Sequence, residues 1–393
     1  MGAEEYLPEP LKTECIQSLL DELSLGRPSA INPLKVTAAF HAIYILTYDA
    51  ESLPAGVTTS GTPLQSVDLV LRVSGDHVPG IKTSNEAAIL DWVSQNTSIP
   101  VPSVIRYDAT TNNPLNREFI ILTRSPGVTL SDIYDSLSQE DLDNICRQLM
   151  KFLVEIHQHP FNQIGGLVHS DDQKKIIPGP ILDEHFWFTP DIKRYFDTEE
   201  TFETLNVGGP FNSYTNFTIA LMEKYIHVAE IQKDLRFMLE HIPRLRAFCK
   251  VLPNFSEQLD ETKIRLAHKD LHFANMLYDQ STGRITAILD WEFASAVPFQ
   301  IWDPVRAFLF NAKDGSEAYE EKYRLRGRFH ELCKQSSVAF LDDANFTSDL
   351  QEKMHNVSNI MRIIVTLIPR GQFVDRTPEF VKDLLQNLEA FGV

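Results

Sequence analysis

A small α+β lobe followed by a larger, mostly helical one is the architecture this sequence predicts, and three observations carry it. Up to about residue 125 the chain is dominated by β-branched and aromatic runs of strand length. At "SPGVTLSDI" (Ser125 to Ile133), Pro126 and Gly127 punctuate the chain and its character changes. Beyond that point long amphipathic helical patterns take over. With 393 residues the chain exceeds one ordinary core. The expected domains are residues 1–125, with an N-terminal helical extension, and residues 126–393.

In the first domain "HAIYILTY" (His41 to Tyr48), "VDLVLRV" (Val67 to Val73) and "REFIILTR" (Arg117 to Arg124) read as strands. The polar, Gly- and Pro-rich "DAESLPAGVTTSGTPLQS" between the first two reads as a loose hairpin loop. "TSNEAAILDWVSQ" opens on a capping residue and places Ala87, Leu90 and Val93 at helical spacing. The proline-bearing "SIPVPSVIRYDATTNNP" interrupts the pattern, so the expected order is strand, strand, helix, strand.

In the second domain Ser138 and Asp141 have capping-box spacing at the start of a helix whose buried stripe is Leu142, Ile145, Leu149, Phe152, Leu153 and Ile156. Further helices are expected over residues 213–249, 318–333, 349–368 and 377–391.

Composition narrows the function classes. The formal charge of −18 opposes a general affinity for nucleic acid or anionic membrane. No apolar run reaches the roughly 18 residues of a membrane span. The N-terminus lacks the basic and apolar parts of a secretory signal, and Tyr6 stands where a myristoylation signal wants Ser or Thr. With the scattered cysteines Cys15, Cys146, Cys249 and Cys333, this points to reduced thiols in a cytoplasmic protein.

The chemistry concentrates in "HKDLHFAN", His268 to Asn275. The following "MLYDQSTGRITAILDWE" reads as two short strands around a turn at Gln280 to Gly283. Antiparallel strands lie about 5 Å apart, so Asn275 and Asp290 meet at the open end of the hairpin, with Asp270 held near by its short loop. Two carboxylates and an amide oxygen suit Mg²⁺, which borrows further ligands from phosphate. Asn275 and Asp290 would hold the metal against ATP phosphates, and Asp270 would take the proton of an acceptor hydroxyl. Two alternatives stand beside this. One is a structural His–Asp pair with a capping Asn. The other is a transition-metal triad of His268, Asp270 and His272 on one face of an extended segment.

The spacing H-x-D-x-x-x-x-N, followed fourteen residues later by a hydrophobic run ending in "DWE", resembles the aminoglycoside phosphotransferase and choline kinase-like families. "VLRV", "NEAAIL", "IPVPSVI", "FIILTRSPGVTL", "AILDWEFA" and "IWDPVRAF" follow in the family's order. The resemblance implies a bilobal protein kinase-like fold: a small antiparallel-sheet lobe with one main helix, covering the nucleotide, and a larger helical lobe carrying the acceptor pocket. It assigns Asp270 as catalytic acid/base, Asn275 and Asp290 as metal ligands, and His268 as support of the catalytic loop. His272 would lie toward the substrate or phosphate, and Asp303 would hold the loop backbone. Arg72 and Glu86 would form the cation–carboxylate pair that meets phosphate, and the backbone of Leu122, Thr123, Arg124 and Ser125 would meet adenine. The implied cofactors are ATP and Mg²⁺, and the implied partner is a small-molecule alcohol.

Several residues depart from the family pattern. Arg72 stands where relatives have Lys, and a planar fork is not a point charge; Lys35 or Lys82 would be the substitutes. "KVTAAFHAIY" contains no glycine for a phosphate-covering turn, and Lys269 stands where relatives have a small residue. These departures keep open a weak or inactive nucleotide- or metabolite-binding protein. Protein-kinase activity is opposed by "DWE" and by the lack of an "APE"-type segment after it. The acceptor pocket is expected mainly from Asn162 to Lys250. There "DEHFWFTPDIKRYFDTEE" mixes aromatic and acidic residues, either as a pocket for a partly apolar or cationic alcohol or as a packing patch.

Overall fold

Alternation along three strands builds the first core. On β2 (His41–Asp49), β3 (Ser66–Ser74) and β5 (Phe119–Thr123), every second residue is buried on one face: Tyr44, Leu46 and Tyr48; Leu69, Leu71 and Val73; Phe119 and Ile121. Against that face lies α1 (Thr13–Glu22), contributing Ile16, Leu19 and Leu20, each fully buried and each stabilising by about 2 kcal/mol. The opposite face of β3 carries Val70 and Arg72, and it is here that α2 (Ile81–Asn96) contributes its charged side chains.

This is a computed structural model, and it describes residues 7–34, 40–49, 66–197, 199–302 and 315–393. The 50–65 loop, Lys35 with the glycine-free turn, and Asp303 lie outside the described residues. The chain divides into two compact units. Unit 1 comprises Met1–Asp141, Val168–Ile176 and Phe273–Glu292; unit 2 comprises Leu142–Leu167, Ile177–His272 and Phe293–Val393.

The main sheet of unit 1, completed by β1 (Ala30–Pro33) and β4 (Val104–Asp108), is antiparallel with strand order β1-β2-β3-β5-β4. Two of its strands were not expected, β1 and β4. Both sit beside prolines, which mask short strands at sheet edges, where a missing N–H is tolerated. A short strand β6 (Val128–Thr129) pairs with Met276–Asp279, which in turn pairs with Arg284–Ile288. The helix α2 begins earlier than its capping residue suggests. Its N-cap is Gly80, at φ +76°, and its Ala87, Leu90 and Val93 stripe is joined in burial by Lys82, Asn85 and Glu86.

Unit 2 is mostly helical. The capping box, at the end of unit 1's first segment, forms as expected: Ser138 N–H donates to Asp141 Oδ2 at 2.9 Å, and Asp141 N–H to Ser138 Oγ at 3.1 Å. The helix they open, Gln139–Gln158, buries the expected stripe except Phe152, which is half-buried. The long run over 213–249 is broken into Tyr214–Ile231, a 3₁₀ stretch Lys233–His241 and Ile242–Val251. Gln232 follows the first helix and caps the 3₁₀ stretch, its side chain accepting from Asp234 N–H, and Pro243 starts the third. Asp349–Leu367 packs against both Tyr214–Ile231 and Thr377–Glu389. Among the described residues, no helix is long and apolar enough to cross a membrane.

Candidate active site

The 276–288 hairpin places the first pair of polar groups. Met276 lies opposite Ile288, and Leu289 N–H donates to the Asn275 carbonyl at 2.8 Å. Strand closure therefore brings the ends carrying Asn275 and Asp290 together within unit 1. Asp290 leaves the hairpin at φ +64°, a left-handed conformation that Asp tolerates better than most side chains. Its carboxylate remains about one-third exposed.

Behind Asp290 lies a buried charge network. Arg72 donates to Glu86 of α2, donates to Asp290 Oδ1 at 3.1 Å, and lies 3.1 Å from His41 Nδ1. Burial alone would loosen its proton, but Glu86, Asp290 and Glu292 hold its pKa above the ordinary value. A second cation, Lys82, stands one helical turn before Glu86 and is fully buried. Its Nζ donates to Glu292 Oε2 at 2.7 Å and lies 2.6 Å from His41 Nε2. Burial pushes the Glu292 carboxyl up to about 7 against the pull of Lys82. His41 is held well below its ordinary pKa by burial, then by Arg72 and Lys82, so it is neutral. His41, Glu86 and Glu292 bring ligand atoms within 4.8 Å of one another. Two cations already neutralise that group, which makes it an ion-paired cluster and a poor cation site.

The expected adenine segment ends β5. Leu122 lies in the ladder between β3 and β4, Thr123 N–H donates to the Ser103 carbonyl at 3.0 Å, and Arg124 N–H to the Asp68 carbonyl at 3.3 Å. Arg124 extends outward onto Asp68 Oδ2 at 2.6 Å, and Ser125 is half-buried.

In unit 2, His268 is buried, whereas the Asp270 carboxylate is 47% exposed and available to solvent species. His272 Nε2 lies 3.3 Å from Asp270 Oδ1. Among the described residues, His268, Asp270 and His272 do not gather three ligand atoms as a metal triad requires. Lys269 has a structural role. It adopts φ +70°, a conformation favouring glycine, and its Nζ donates to the Leu182 carbonyl at 2.5 Å and lies 3.6 Å from Asp183 Oδ2. Burial would raise the Asp183 carboxyl, but Lys269 and His185 hold it well below the usual carboxylate range. The following aromatic residues largely pack: Trp187 meets Phe196 edge-on at 4.8 Å, and Phe186 meets Phe202 at 5.9 Å.

Sequence reasoning missed His41 and the engagement of Lys82 with Glu292. The Lys82–Glu86 spacing of one helical turn was the available signal.

A subtelomeric hrmA-associated cluster protein of Aspergillus fumigatus is 26% identical over 257 residues, covering 55% of this chain and 50% of that protein. Clavilactone A biosynthesis cluster protein Y of Ampulloclitocybe clavipes is 28% identical over 228 residues, with 55% and 50% covered. The chain thus spans about half the length of these curated relatives. Among solved structures, aminoglycoside phosphotransferase APH(4)-Ia with AMP-PNP and hygromycin B aligns at TM-score 0.47 and 15% identity, over 97% of this chain and 98% of that one. The gentamicin complex of APH(2")-IIa aligns at TM-score 0.47 and 13% identity, over 97% of each chain. The sequence profile of the phosphotransferase enzyme family, APH, matches residues 57–324, well over half of the sequence, and the chain belongs to that family.

Proposed function

We propose that this protein is an ATP-dependent O-phosphotransferase acting on a hydroxyl of a small molecule. The observation that carries this reading is the meeting of the Asn275 and Asp290 ends of the hairpin beside the Arg72–Glu86 pair. Family membership supports it independently.

Asn275 and Asp290 would hold Mg²⁺. The fit rests on hard oxygen donors, an accessible Asp290 carboxylate, and a single guanidinium contact on Asp290 Oδ1. When bound, the ion would offset charge on the ATP phosphates. Arg72 supplies fixed positive charge beside that position, and Glu86 holds it there. Carbonyl groups of the 122–125 segment, together with Ser125, would meet adenine, because the N–H groups of Thr123 and Arg124 are engaged. Asp270 would accept the acceptor's hydroxyl proton as its oxygen attacks the γ-phosphorus. The bond from that phosphorus to the bridging oxygen breaks, and ADP leaves.

A second reading, a nucleotide-binding protein with little turnover, is favoured by one observation: Arg72 is hydrogen-bonded to Asp290 and Lys82 is committed to Glu292. Calorimetric ATP binding with and without Mg²⁺, plus ADP release against a panel of metabolite alcohols, separates the two. The expected result is Mg²⁺-dependent binding in wild type and in Asp270→Ala, with turnover lost by at least about a hundredfold in the variant. Binding without turnover on any alcohol supports the second reading. No nucleotide binding, or undiminished turnover in Asp270→Ala, overturns the first.

A further inference from the structure

Unit 2 contains a cavity of about 270 Å³, near the lower edge of ligand-pocket sizes and suited to a compact molecule. Its walls come from the 181–187 segment, the Tyr214–Ile231 helix and the Asp349–Leu367 helix. Trp187, Phe217, Leu221 and Ile301 give it an apolar body. Asp183 also lines it, so the cavity reaches the residue that Lys269, the neighbour of Asp270, holds in place.

The charges on its walls are not equally committed. Asp183 is paired with His185 at 2.9 Å and with Lys269 at 3.6 Å. Lys224 donates to the carbonyls of Glu203 and Thr204 at 2.6 and 3.1 Å. His355, with Nδ1 3.2 Å from the Tyr214 hydroxyl, is lowered to about 4 by burial and then by Arg362, so it is neutral at pH 7. Arg362 is different. Its Nε and Nη2 both donate to one neutral acceptor, Asn359 Oδ1, at 3.3 and 2.9 Å. Its Nη1 is buried without a hydrogen-bond partner, and no carboxylate pairs with it among the described residues. Nearby Arg370 shows the usual solution: it pairs with Asp191 at 2.7 Å while lying 4.2 Å over the Trp187 ring. Trp187 Nε1, on another lining residue, is likewise a buried donor without a partner.

Both unpartnered groups can only donate, and one is charged. Buried donors of this kind call for an acceptor, and a guanidinium fork fits a carboxylate. We infer that this cavity binds a compact, partly apolar hydroxy acid through its carboxylate, with Arg362 as the specificity-determining residue. A cationic ligand would face Arg362 directly, and a neutral amide would leave its charge uncompensated. That the ligand is the phosphate acceptor rests on the phosphotransferase reading; that the cavity selects an acid does not.

The test is calorimetry on the full chain without nucleotide. The probes are 3-phenyllactate and 4-hydroxybutyrate, each against its amide, and 2-amino-3-phenylpropan-1-ol as the cationic alcohol. At least one acid is expected to bind roughly tenfold or more tighter than its amide and than the cation. Arg362→Gln is expected to erase the preference and Arg362→Lys to keep part of it. Equal affinity for acid and amide, no binding of either acid, or a preference surviving in Arg362→Gln overturns the inference. The wild-type comparison decides even where a variant fails to fold. Mg²⁺–ATP binding is measured on the same preparation without acid. Its absence alongside acid selectivity sinks the kinase reading only, and its presence without selectivity sinks the cavity assignment only.

Discussion

Arg72 and Asp290, far apart in sequence, are joined by a 3.1 Å hydrogen bond, while the same guanidinium holds Glu86. One cation thus bridges the helix carboxylate and the proposed metal ligand. Arg72→Lys shortens the reach and replaces the fork with a point charge that cannot serve both carboxylates in the same geometry. Mg²⁺–ATP affinity is expected to rise about tenfold as Asp290 is released, measured by calorimetry. Unchanged or weaker binding would show that the Arg72–Asp290 contact does not compete with the metal.

The buried Lys82–Glu292 pair calls for a double-variant test. Lys82→Met leaves Glu292 buried without its main cation and is expected to cost about 3–5 kcal/mol in urea unfolding. Adding Glu292→Leu should restore most of that loss, because the pair is replaced by apolar volume. A double variant no better than the single would mean that Glu292 has other essential partners.

Gly127 sits at φ +108°, and a Cβ there would lie 2.7 Å from Thr286 Oγ1 and 2.8 Å from the Tyr278 carbonyl. Strand β6 begins at the next residue, so a shift here disturbs its pairing with the hairpin of Asn275 and Asp290. Gly127→Ala is expected to destabilise by about 2 kcal/mol in urea unfolding, with Mg²⁺–ATP binding weakened. Wild-type stability in this variant would count against the close approach.

The buried histidines should cost stability as the pH falls, against the opposite contribution of Glu292, whose raised carboxyl takes up its proton over the same range. His77 is fully buried and its pKa is lowered to about 2 by burial, then by Lys82. Above pH 6.5 it is neutral folded and unfolded, and no penalty exists. Below 6.5 the unfolded chain takes a proton that the folded protein refuses, so stability is lost as pH falls, by up to about 2 kcal/mol at pH 5. His355, lowered to about 4, adds to the same trend and levels off below that pH. Urea unfolding at pH 7 and pH 5 checks it: His77→Gln should lose less stability than wild type on acidification. Equal losses would remove His77 from the account.

Lys269 and Asp183 are expected to couple. Lys269→Gly relieves a backbone conformation costing about 1 kcal/mol but removes the cation beside Asp183. A double-mutant cycle with Asp183→Asn should show about 1 kcal/mol of coupling, modest because Asp183 is partly exposed. Strict additivity would mean the pair contributes nothing.

Features that are local in sequence were legible there. The hairpin that joins the Asn275 and Asp290 ends is closed by a four-residue turn, so its geometry follows from strand pairing alone. The capping box at Ser138 and Asp141 is equally local. The strands β1 and β4 were hidden because adjoining prolines read as breaks. The charge network was hidden for another reason: α2 buries polar residues together with its apolar stripe, and nothing in Lys82 itself announces a partner more than two hundred residues away. Arg362 lies outside the Asn162–Lys250 stretch expected to build the acceptor pocket, and the unpartnered state of its Nη1 can be read only in three dimensions. Lys269, a mere anomaly in the sequence, is explained by its contacts with Leu182 and Asp183.

The partition of the chain has a consequence for synthesis. Unit 1 takes its first 141 residues early, but its last segment, Phe273–Glu292, is translated after most of unit 2. On the ribosome the sheet would emerge and wait, with β6 still lacking its hairpin partner and Arg72 and Lys82 without Asp290 and Glu292. A transcript truncated at the apparent lobe boundary would therefore yield a sheet with uncompensated interior charge, and chaperone dependence should end only once residue 292 has cleared the exit tunnel.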